Sequence, residues 1–113
     1  MTKIGEGDGT HRVPTAGDYH KTVDQSSLKF LNALEMYKND DGDKEQLKAL
    51  MDQQLGLIRS AVAEIKRAGI YKQEVKVEND YKAFMSDASD SNFTALEHDV
   101  LTLREYNQLD KKS

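Results

Sequence analysis

The stretch MDQQLGLIRSAVAEI, residues 51–65, places apolar side chains at Met51, Leu55, Ile58, Val62 and Ile65, and Leu47 extends the row toward the N-terminus. Steps of three and four residues put these side chains on one stripe of an α-helix; a strand cannot do this, because it sends alternate residues to opposite faces. A helix with one greasy stripe has to cover it with protein, so the fold is a helical assembly. Three covers are open to it: another part of this chain, a second copy, or a different protein.

The flanking sequence supplies further helices. Val23, Phe30, Leu34 and Tyr37, widened by Leu28 and Leu31, predict a first helix over about 18–38 with one buried face. Asn39–Asp43, NDDGD, breaks that pattern with turn formers, and Asp43 is placed to cap the next helix, with Gln46 where a capping box reaches back. The long middle helix is expected to stop at RAGIY, with Gly69 in the left-handed C′ position and Ile70 folding back on Ile65. Residues 72–86 alternate like a strand in QEVKVEN, yet Val77, Tyr81 and Phe84 recur at helical spacing. Helix is the preferred reading, since a lone strand has no partner elsewhere in the chain. Ser86–Asn92 reads as a helix-poor connector, after which Phe93, Leu96, Val100 and Leu103 form a last stripe with Thr94 and Glu97 as a capping box.

The expected fold is therefore all-α, an antiparallel helical hairpin extended to a small three- or four-helix bundle. A flexible, disordered N-terminal arm is expected over residues 1–17, which hold four of the seven glycines and the only proline and have little to bury; the helical domain covers 18–108, and 109–113 form a frayed tail. Composition agrees with a thin core: hydrophobic residues make up 37% of the 113 positions and charged ones 32%. No segment approaches the roughly 18 apolar residues of a membrane helix, and MTKIGEGDG has no apolar signal core. A cytoplasmic protein is expected, with signal-less export compatible as well. Net charge of −4 argues against nucleic-acid binding, which rests on clustered Lys and Arg.

Each candidate for chemistry gives way to a plainer reading. GEGDG lacks the strand–turn–helix context of a dinucleotide or phosphate loop. With Gly42 set at the invariant glycine of a calcium loop, the first ligand position falls on Tyr37 and the last on Lys48, where carboxylates are needed. His20 has only Asp24 at helical reach, and His98 has Glu97 and Asp99 beside it, so no metal set is expected, and both read as exposed histidines near helix starts. Ser26, Ser27 and the serines of 86–91 have no nucleophile context, and the chain contains no cysteine. No cofactor is expected, nor is an enzyme; a buried histidine or carboxylate cluster would reopen that question.

These readings predict a non-enzymatic protein–protein interaction module, an adaptor, assembly subunit or chaperone, whose partner is another protein or a second copy. Its expected interface is the seam Leu47, Met51, Leu55, Ile58, Val62 and Ile65. The alternative is an acidic inhibitor or nucleic-acid mimic, using Asp87, Asp90, Glu97, Asp99, Glu105 and Asp110 against a basic surface. In layout, a loose arm followed by helix, polar turn and long helix resembles the needle subunits of type III secretion systems. That family's proline-bearing turn is replaced here by Asp40, Asp41, Gly42 and Asp43, and the chain is longer, so the likeness assigns nothing.

Overall fold

Short polar side chains set where three of the helices begin. In the computed structural model, which describes residues 15–112, the carboxylate of Asp18 accepts from the Thr15 N–H at 2.9 Å and opens α1 (Ala16–Lys38). Asp43 Oδ1 accepts from the N–H groups of Glu45 at 2.9 Å and Gln46 at 3.3 Å and opens α2 (Lys44–Ile65), as its place after the NDDGD turn predicts. Ser89 does the same for α4 (Asp90–Lys112), its Oγ accepting from the Asn92 N–H at 3.2 Å. Helix α3 (Ala68–Ser86) starts from Arg67 without a side-chain cap. The NDDGD turn reverses the chain through left-handed backbone at Asp40 (φ 55°) and Gly42 (φ 116°).

Short links make consecutive helices antiparallel neighbours, and α4 closes the ring against α1. The result is an all-α, up-and-down four-helix bundle. Each helix contributes a stripe to one core: Val23, Phe30 and Leu34 from α1, Met51, Leu55, Ile58 and Val62 from α2, Ile70, Val77 and Phe84 from α3, and Leu96, Val100 and Leu103 from α4. Burying each large side chain of this kind contributes about 1.5–3 kcal/mol. Aromatic rings cross the centre edge to face, Phe30 against Tyr81 and Tyr37 against Phe84, both at 5.7 Å between centroids. The α1–α2 pairing is the most extensive, and small residues at Ser26, Ser27, Ala33 and Ala61 are buried in these two helices. The α2–α3 pairing is the thinnest.

Several boundaries differ from the sequence reading. Helix α2 ends at Ile65 because Lys66, not Gly69, takes the left-handed position (φ 60°). Gly69 and Ile70 instead lie in the first turn of α3, which carries Ile70 fully into the core; folded back on Ile65 it would have covered only one half-buried neighbour. Residues 72–86 are helical, as preferred. The last helix starts at Asp90, not after a cap at Thr94, because Ser89 supplies the cap one turn earlier. It continues to Lys112, so 109–112, expected as a frayed tail, extend the helix. Of the arm expected over 1–17, residues 1–14 lie outside the described residues, while Thr15 caps α1 and Ala16 and Gly17 belong to it. Among the described residues no helix is long and apolar enough to cross a membrane.

Candidate interaction surface

The seam predicted as an interface faces the rest of its own chain. Leu47, Met51, Leu55, Ile58 and Val62 are buried in the core, and Ile65 is half-buried against it. Helix α1 lies along this stripe, and α3 and α4 complete the cover. The apolar side chains of α1, α3 and α4 close over the stripe, so that in the closed bundle Ile65 alone of the six keeps a partly open side chain.

Around this core, the rims where the two hairpins meet carry polar pairs. His20 is 5% exposed, not a surface residue: its Nδ1 lies 2.7 Å from Asn107 Oδ1, and Asn107 Nδ2 donates to the His20 carbonyl at 2.9 Å. Asp24, the expected companion of His20, instead accepts from Arg104 at 2.8 Å, and Lys38 pairs with Asp90 at 2.7 Å. These contacts pin α1 to α4 from end to end. Across the opposite face Tyr81 donates to Asp52 Oδ1 at 2.6 Å and Arg59 Nε donates to Glu78 at 3.1 Å, linking α2 to α3. Burial, aided by the neighbouring Asp52 carboxylate, raises the Tyr81 hydroxyl well above the ordinary phenol range.

Two carboxyls of α3 are displaced far from their ordinary range. Burial first, and then the Glu78 carboxyl one turn on, push Glu74 up to about 8 against the opposing pull of Arg59. Burial and the Asp99 carboxyl push Asp80 up to about 6. Burial works the other way on Asp99, but the Asp80 carboxyl, His98 and Lys76 together hold it below the usual carboxylate range. Asp80, His98 and Asp99 line an open depression of about 710 Å³ between α3 and α4, with Lys76, Ser91 and Thr94. The buried histidine and the carboxyl pairs are thus in separate places: His20 is engaged with Asn107 between α1 and α4, Glu74 is closed in against α2, and Ser27 donates to the Asp24 carbonyl at 2.9 Å. Among the described residues no three His, Cys, Asp or Glu side chains gather as a metal site.

The outward apolar side chains are the ones the stripe reading passes over. On α4, Leu101 and Leu109 stand two turns apart and, with Arg104, Glu105 and Gln108, line an open trough of about 640 Å³; Leu109 is 65% exposed. The Asp24–Arg104 register brings the exposed Leu28 of α1 alongside Leu101. The periodicity of α1 places Leu28 on the buried face, which the structure corrects, whereas Leu101 falls outside the 93, 96, 100, 103 pattern, the signal that marks it as outward. A smaller group, Met36, Leu50 and Leu57, is exposed on α1 and α2.

Fold and surface together define a four-helix up-and-down bundle with a leucine-lined trough on the outside of α4. No family model matches the chain, and no curated protein or solved structure matches it either.

Proposed function

We propose that this protein is a non-enzymatic helical interaction module that acts as an assembly subunit, its contacts made by the α1–α4 outer face and not by the α2 seam. The observation that carries the reading is the pair of exposed leucines, Leu101 and Leu109, lining the trough of α4, with the exposed Leu28 of α1 at the level of Leu101. Single exposed leucines are ordinary, but two lining one trough, rimmed by charged and amide side chains, have the composition of a small contact patch. Arg104 and Glu105 give the patch both signs of charge, so a second copy related by a twofold axis can meet each with its opposite.

Sedimentation across a concentration series tests this, using the full chain and the Leu101→Asp variant. Association of the wild type that persists at high salt and is lost in the variant supports the reading, since apolar contacts are not screened. A wild type that stays monomeric throughout, or a variant that associates equally well, overturns it. The acidic-mimic reading receives little support, because Asp99 is buried and Asp90 is paired with Lys38, which breaks up the row of acids.

A further inference from the structure

Helix α3 carries a carboxyl pair on each flank. Toward α2, Glu74 is 2% exposed and no N–H or O–H donor reaches its Oε2. One turn on along α3 stands the Glu78 carboxyl, which accepts from Arg59 at 3.1 Å. Toward α4, Asp80 Oδ2 is also buried with no donor in reach, beside the carboxyl of the buried Asp99. Lys76 Nζ stands 3.7 Å and His98 Nδ1 3.4 Å from Asp99 Oδ1. Two carboxylates repel, whereas two carboxyls with one proton between them form a short hydrogen bond, and burial excludes the water that would otherwise separate them. Each pair therefore closes only by holding a proton.

We propose that α3 is a proton-clamped helix: the proton that Asp80 shares with Asp99 ties it to α4, the proton that keeps Glu74 uncharged beside Glu78 lets that side chain stay buried against α2, and their loss loosens α3 from both neighbours as pH rises. The countercharges facing the first pair are Arg59 from α2 and Lys82 from α3 itself; those facing the second are Lys76 from α3 and His98 from α4. Arg59 is already committed to Glu78, so an ionised Glu74 is left buried beside a second anion. The seam that must hold it is the thinnest in the bundle.

The sign follows from which state holds the proton. Glu74 lies at about 8 in the folded protein against an ordinary 4.5, and Asp80 at about 6 against 3.8. Between those limits the folded form binds protons that an opened form has released. Stability is therefore greatest at the acid end of the window and falls as pH rises, the opening constant growing by up to about tenfold per pH unit for each proton and levelling off above about pH 8.

The test is urea denaturation of the full chain at a series of pH values between about 5 and 9, with hydrogen-exchange protection factors read along α3. The wild type is expected to lose stability across the window, with α3 amides losing protection before those of α1. Glu74→Gln, which carries an amide that cannot ionise, removes the upper part of the slope, and Asp80→Asn removes the lower part. A pH-independent wild type, or a Glu74→Gln slope equal to that of the wild type, overturns the proposal. Should Glu74→Gln fail to fold, Glu78→Gln serves instead: it offers Glu74 an N–H donor and moves the upper window to lower pH, and an unmoved window counts against the clamp.

Discussion

Ile58 shows what a single side chain contributes to this bundle. It is 1% exposed, at the middle of the α2 stripe, with helix on every side. Truncation to Ala should cost about 2–5 kcal/mol in urea unfolding, through reduced burial and the cavity left behind. Ile58→Asp places an unpaired charge there and should abolish the helical circular dichroism signal at neutral pH. Asn107 is the polar counterpart. Its side chain answers both the His20 ring and the His20 carbonyl; the carbonyl keeps its bond within α1, but Asn107→Ala leaves the buried ring nitrogen without its partner and should cost about 1–3 kcal/mol by the same measurement.

At the level of the helix, ends matter more than middles. Lys66 takes a left-handed conformation that glycine adopts without strain, so Lys66→Gly should raise thermal stability by up to about 1 kcal/mol, although the added freedom of the unfolded chain offsets part of the gain. Asp43→Ala should lower it by about 0.5–2 kcal/mol by removing the acceptor for two N–H groups of α2. The helices themselves are legible in the sequence because their stripes repeat at three and four residues, and the Asp43 cap because its signature is local. The end of α2 is not, since Gly69 is the better local candidate and only the burial of Ile70 in a distant core decides against it. His20 with Asn107 and Asp24 with Arg104 are invisible for a related reason: each pair is joined by packing across 80 or more residues, and no local pattern records it. The outward side chains are legible only in part, Leu101 by falling off its stripe and Leu28 not at all.

For the whole molecule, the question raised by the α2 stripe has an internal answer, and the unfolding transition should be a single cooperative one. Leu101→Asp should leave the unfolding free energy in urea within about 0.5 kcal/mol of the wild type, because the side chain lies on the exposed face of α4, and this separates a contact-surface defect from a folding defect. The ring of four helices also has one very short joint. Lys66 and Arg67 alone connect α2 to α3, and a change of backbone at Lys66 from left-handed to right-handed would run the two into a single rod from Lys44 to Ser86. The α3–α4 pair would then swing away from its own α1–α2 hairpin and into the vacant place on a sister molecule, rebuilding the same core from two chains. Refolding from a concentrated solution is where such reciprocally exchanged dimers would accumulate, and a glycine at position 66, content to stay bent, should suppress them.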